Sequence, residues 1–353
     1  MKPSWESCWA AGKGLLALTI IGFIGRQLYA DLSSESALEL WRRCTNPGLL
    51  ATAGALYLAG LTFCFILWFC LLRRLGQMPA LLPAIRAYFI GLMGKYVPGK
   101  AWALLLRGAM IRSRRVDGRI AIATAVYEVL TTMTGGALLA GLVFLCLRSG
   151  GVGSVDSATL WRLLRLQESE PTAAQMALVL ISFGLALAVG IPLVPAVFDW
   201  VIRRLITADH PPSLGWRNLA LGLVLSIGCW SCFGLSLWLV LGVVNGRLPG
   251  LTLRSLLLDS GGIALAYVAG FVILLTPSGL GVREFFLRFY LLQEIGLRMP
   301  ADEARTTAAL TVLLLRLVWT AAEILMVAVV YWLPGPELHT IEGTAEPWNA
   351  GST

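Results

Sequence analysis

The residues best placed to do chemistry are charges embedded in apolar sequence. Lys95, Lys100 and Arg107 lie in GLMGKYVPGKAWALLLR, from Gly91 to Arg107. Arg283 and Glu284 lie in LLTPSGLGVREFFLRFY, from Leu274 to Tyr290. Glu128, Arg316 and Glu323 sit inside long apolar runs. A charge at the middle of a bilayer costs about 2.5–3.5 kcal/mol on insertion scales, so each of these is a functional candidate by default. Both stretches follow one plan: an apolar segment breaks, at Pro98-Gly99 in the first and at Pro277, Gly279 and Gly281 in the second, then restarts as a helix. Lys100 and Arg283 are thereby expected in the first turn of a restarted helix, where the macrodipole disfavours a cation. That placement makes sense if an anion binds there, held by free backbone N–H groups and the basic side chain together. Arg107, two turns beyond Lys100, shares its face. The chemistry implied is recognition of an anion.

The carboxylates fit around this. Glu128 has Thr124, Thr131 and Thr132 at helical spacing, a polar stripe on an otherwise apolar helix. Glu323 shares a face with Thr320 and Arg316. The two glutamates are expected to pair with the cations of the broken segments or to carry a proton. Lys95, Lys100 and Arg288 have the alternative of snorkelling to headgroups. Glu284 suits a helix N-terminus and can meet Arg288 one turn on. Asp259 is expected to cap a following helix, and Gly262, Ala266 and Gly270 to allow close helix approach.

The elements that must position these residues are membrane spans. The chain has 353 residues, 57% hydrophobic and 14% charged, with a mean hydropathy of +0.76. A soluble domain carries about 25% charge. Segments of roughly 20 apolar residues span a bilayer. The expected spans are Gly14–Ala30, Leu49–Leu72, Ile120–Leu147, Thr172–Val197, Leu219–Val244 and Thr306–Leu333, with broken elements over Leu81–Ile111 and Leu253–Leu292. The fold class is therefore an all-α polytopic bundle forming one domain over about 1–335, with half-repeats at about 10–147 and 172–333. Each half reads span, span, broken element, span. If each broken element enters and leaves on one side, there are six full spans and two re-entrant hairpins, related as inverted repeats; if both cross, there are eight spans. Residues 336–353, with glutamates but no Lys or Arg, are expected to be a disordered tail. The run after Lys13 crosses Arg26 with no small-x-small cleavage site, so an uncleaved first helix is expected.

In the six-span arrangement Arg73, Arg74, Arg112, Arg114, Arg115, Arg119, Arg203, Arg204 and Arg217 share one side with Lys2 and Lys13. Arg42, Arg43, Arg148, Arg162, Arg165, Arg247 and Arg254 fall on the other. The positive-inside rule then makes both termini cytoplasmic. The net charge of +8 comes from such short clusters, with no basic run interleaved with aromatics, so no nucleic-acid partner is expected. The seven Cys and two His give no metal-ligand spacing, and CWSC at Cys229 and Cys232 lies on an expected span without a nearby His. Neither a DxD motif nor a GxxxxGK[ST] loop occurs. No cofactor, and no autonomous catalysis, is expected.

The motif VPGKAW…R, the arginine-rich loop, the helix with an early Glu and the late TPSGLGVREFF resemble the lysylphosphatidylglycerol synthase transmembrane-region family over about residues 10–335. The resemblance implies a bacterial or archaeal cell-membrane protein, flippase-like, that moves lipids with anionic headgroups across the bilayer. Its motif residues fall on Pro98, Gly99, Lys100, Arg107, Glu128, Pro277, Gly279, Gly281 and Glu284. One departure is Val129 after Glu128, where the family often has Arg, with no Asp following within the span. Two rival readings remain: a membrane transferase acting on a polyprenyl phosphate through the same anion site, and an accessory partner of a separate lipid-modifying enzyme, for which mutations at the site would be silent. The candidate partners are membrane lipids with anionic headgroups, a separate lipid-modifying enzyme and a second copy of the chain in a homo-oligomer.

Overall fold

The computed structural model describes residues 46–96, 101–146, 173–205, 214–272, 282–295 and 299–333. Among these the protein is all-helical, with ten α-helices and two 3-10 turns. The expected first span, the two proline-glycine breaks and the C-terminal tail lie outside the described residues. In order, the helices are α1 (Pro47–Arg74), α2 (Leu81–Leu92), α3 (Trp102–Ile111), α4 (Gly118–Cys146), α5 (Ala173–Gly190), α6 (Pro195–Leu205), α7 (Trp216–Val244), α8 (Leu253–Val272), α9 (Val282–Ile295) and α10 (Ala301–Trp332). Five are long and apolar enough to cross a membrane: α1, α4, α7, α8 and α10. This is the composition of a helical membrane bundle.

Local sequence sets the helix ends. Asn46 caps α1, its Oδ1 accepting the Leu49 N–H at 3.2 Å, with Pro47 in the first turn where its missing donor costs nothing. Arg73 and Arg74 close the helix against its negative end. The expected span Thr172–Val197 does not run through. It stops at Gly190, passes through the 3-10 turn Ile191–Leu193 and resumes as α6. Pro192 and Pro195 explain this, since neither can donate to a carbonyl of the preceding turn. Asp259 is another correction, because α8 starts before it and the carboxylate, instead of capping, accepts the buried Tyr290 hydroxyl at 3.0 Å.

Glycines let the long helices meet. A Cβ on Gly60 would stand 2.5 Å from the Phe233 ring, and one on Gly222 2.6 Å from Thr131. Ser236 donates to the Ala53 carbonyl at 2.8 Å. The pairs 53–236 and 60–233 run in opposite directions, so α1 and α7 are antiparallel. Gly135 faces Ser226 and Gly136 faces Trp230, so α4 runs parallel to α7. Partners correspond between the halves: α1 packs on α4 as α7 packs on α10, α3 on α4 as α9 on α10, and α2 on α10 as α8 on α4.

Both broken elements fold as antiparallel pairs. Gly91 lies against Arg107 and Gly94 against Ala103, joining α2 to α3. Tyr290 lies against Gly262, and Arg283 donates to Tyr267 at 2.6 Å, joining α9 to α8. The first hairpin opens where α1 ends: the Met78 N–H meets the Arg115 carbonyl at 3.1 Å and Gln77 Oε1 accepts the Asp117 N–H at 2.7 Å. The second opens at the other end, where Gly261 near the start of α8 packs on Val143 near the end of α4. The hairpins differ in length, because α8 has 20 residues and α2 only 12. The small residues Gly262 and Ala266 are used within the chain, buried against its own helices.

Candidate functional site

The described ends of the two helix pairs that flank the breaks border a central cavity of about 600 Å³. Its polar lining includes Lys95, Arg107, Glu128, Arg283, Arg316 and Glu323, six of the eight binding residues expected from sequence. Glu284 reaches two of those cations from α9. Lys100, Pro98, Gly99, Pro277, Gly279 and Gly281 lie outside the described residues. The restarted helix α3 is described from Trp102 onward. Arg283 falls in the first turn of α9, beside Glu284.

Arg107 and Glu128 form a pair at 2.8 Å, each 3% exposed. Tyr88 contributes twice: its ring lies 4.0 Å from the Arg107 guanidinium and its hydroxyl is 3.5 Å from Glu128 Oε1. The cation–π contact holds the guanidinium plane while the carboxylate holds one edge. Arg107 Nε is buried and has no hydrogen-bond partner among the described residues. One donor therefore remains beside the cavity.

Glu323, 2% exposed, collects three donors from two other elements. Tyr57 on α1 and Lys95 in the 3-10 turn Met93–Tyr96 both meet its Oε1, and Tyr96 donates to its Oε2 at 2.7 Å. The sequence left open which cation each glutamate meets. The structure joins Glu128 to its own half and Glu323 to the other half's hairpin.

Arg283 repeats the Arg107 arrangement. Its guanidinium lies 4.6 Å from the Tyr267 ring centroid and 3.1 Å from Glu284. Arg316 approaches the same carboxylate at 3.9 Å. Glu284 thus serves two cations of the site, while Arg288, its expected partner, is exposed. Behind these lies an aromatic wall: Trp319 stacks on Tyr57 at 4.1 Å and packs on Phe233 at 5.0 Å and Tyr267 at 5.6 Å. Sequence reasoning passed over Tyr57, Tyr88, Tyr96 and Tyr267, because a tyrosine in an apolar run reads as core. The available signal was the hydroxyl itself, which needs a partner when buried.

Four basic groups, Lys95, Arg107, Arg283 and Arg316, stand against three carboxylates, Glu128, Glu284 and Glu323. Among the described residues the site carries one positive charge in excess. A partly apolar cavity with a cationic surplus suits an amphiphile bearing an anionic group. Cys64 and Cys229 also reach the cavity, their sulfurs 3.4 Å apart and both thiols free. The chain matches no protein-family model, no curated protein and no solved structure.

Proposed function

We propose that this protein is a flippase-like membrane protein that moves an anionic phospholipid, or a polyprenyl-phosphate-linked lipid, between leaflets. The observation that carries the reading is the cationic cavity bordered by two hairpins that open at opposite ends of the bundle. A phosphate group held there competes with the carboxylates for Lys95, Arg283 and Arg316, while Tyr57, Phe233 and Trp319 supply an apolar wall for the adjoining glycerol or isoprenoid. Glu323 and Glu284 offset two of these three cations when the lipid is absent, and the one positive charge in excess is left for the lipid's anionic group. Exchange of these ion pairs for lipid contacts would let each hairpin open to its own side, as two inverted repeats rocking about a central site. The arginine-rich end then faces the cytoplasm by the positive-inside rule, which puts both termini there. A bacterial or archaeal cell membrane is the setting that the motif resemblance implies.

The experiment is a leaflet-accessibility assay in liposomes containing the purified protein and fluorescent anionic lipids. The expected result is faster loss of protection than in protein-free liposomes, abolished by Lys95→Gln with Arg283→Gln. The triple variant that adds Glu323→Gln removes the carboxylate stranded by loss of Lys95 and checks that folding is intact. Unchanged transport in the folded variants would refute the site. Product formation from a polyprenyl phosphate by protein in detergent, without any effect in liposomes, would replace transport with transfer chemistry.

A further inference from the structure

A second feature lies away from the cavity, at the end of the bundle where the first hairpin opens. Nine arginines gather there: Arg73 and Arg74 at the end of α1, Arg112, Arg114, Arg115 and Arg119 around the turn into α4, Arg203 and Arg204 on α6, and Arg217 in the first turn of α7. A small core ties these elements together, with Leu75, Ile120, Leu193, Phe198 and Leu214 all buried. Every one of the nine is exposed, and none meets a carboxylate within 4 Å among the described residues. Among the described residues, the two acids nearby each accept a backbone N–H. Asp117 accepts the Arg119 N–H at 2.7 Å, and Asp199 the Leu214 N–H at 3.1 Å.

Helix α6 gives this end its shape. Prolines detach it from α5, and Phe198 anchors it, edge-on to Tyr127 at 4.5 Å. The other face turns outward. Trp200 is 58% exposed and Val197 41%, and Arg204 lies over the Trp200 ring at 4.8 Å. Trp216, beside Arg217, is 66% exposed. A helix with an anchored apolar side, an exposed tryptophan and adjacent arginines is built to lie in the interfacial plane. Topology alone needs arginines in short loops; it does not need a detached helix presenting tryptophan among them.

We infer that α6 and the arginines around it form a second lipid site, a surface for the anionic headgroups of the leaflet bordering this end. Trp200 and Trp216 sit at headgroup depth, and Arg203, Arg204, Arg73 and Arg217 take the phosphodiesters. The proposal is independent of the central cavity and of lipid translocation.

Hydrogen exchange on the full chain in nanodiscs tests it. The discs contain phosphatidylcholine alone or with about one-third phosphatidylglycerol. The amides of 195–205 are expected to exchange up to roughly thirtyfold slower in the acidic discs, the scale set by two arginines at a charged leaflet. Arg203→Gln with Arg204→Gln should erase the difference, as should about 0.5 M salt. Arg247→Gln with Arg254→Gln, at the opposite end, should leave it unchanged. Equal exchange in both lipids, or a preference that survives Arg203→Gln with Arg204→Gln, would overturn the proposal. The transport assay reads the cavity and this one reads α6, so failure of either leaves the other standing.

Discussion

The buried pair of Arg107 and Glu128 allows the most direct test of how charge is held inside this bundle. Glu128→Gln keeps the side-chain shape and removes the charge. Arg107, 3% exposed, then faces a neutral amide with its Nε still lacking a partner among the described residues. Breaking a buried ion pair from one side costs about 3–5 kcal/mol. The Tyr88 ring, 4.0 Å from the guanidinium, retains about 1–2 kcal/mol of cation–π attraction. The expected loss is therefore about 2–4 kcal/mol. Arg107→Gln should cost a similar amount, since Glu128 keeps only the Tyr88 hydroxyl, at 3.5 Å, and a thiol–threonine neighbourhood. Removing both charges together, as Arg107→Met with Glu128→Leu, should cost no more than about 1 kcal/mol, because both desolvation penalties vanish with the pair. Reversible denaturation in mixed micelles measures all three. Losses that add to within about 0.5 kcal/mol would mean the two side chains are uncoupled and would refute the reasoning.

Three further outcomes are expected. Gly60→Leu should destabilise by about 1–3 kcal/mol or more, since even its Cβ would stand 3.1 Å from the Cys229 carbonyl as well as against Phe233; a normal monodisperse yield would contradict the close α1–α7 crossing. Arg86→Leu removes the guanidinium that donates to the carbonyls of Val330 and Leu333, so the last turn of α10 should exchange its amides roughly tenfold faster while α1 and α7 are unaffected. Phe198→Ala should detach α6 from Tyr127 at a cost approaching about 3 kcal/mol. Limited proteolysis would report it as cleavage within 195–205 while the helices of the central bundle remain resistant.

Much of the architecture was readable before any coordinates. The spans Leu49–Leu72, Ile120–Leu147, Leu219–Val244 and Thr306–Leu333 correspond to α1, α4, α7 and α10 within a few residues. They are long apolar runs with charges at their ends, and hydropathy adds along a chain with no knowledge of neighbours. The span at Thr172–Val197 failed because its hydropathy continues across Pro192 and Pro195, whereas its hydrogen-bond ladder cannot. Asp259 failed as a cap for a related reason: its turn chemistry is local, but the Tyr290 hydroxyl that satisfies it arrives from another helix.

At the site, residue types and spacing were enough to single out Lys95, Arg107, Glu128, Arg283, Arg316 and Glu323, because an unpaired charge in apolar sequence is costly and must have a use. What the sequence determined by itself was therefore which segments are apolar, where they break and which charges they carry. Only the tertiary structure decided that Glu128 meets Arg107 of its own half while Glu323 meets Lys95 of the other. It alone assigned Glu284 to Arg283 and Arg316, and brought Tyr57, Tyr88, Tyr96 and Tyr267 to the charges. Hydropathy and helical period are properties of one segment, while an ion pair depends on where two segments cross. That crossing is set by glycines and side-chain shapes on both partners at once, as Gly60 against Phe233 and Gly91 against Arg107 illustrate.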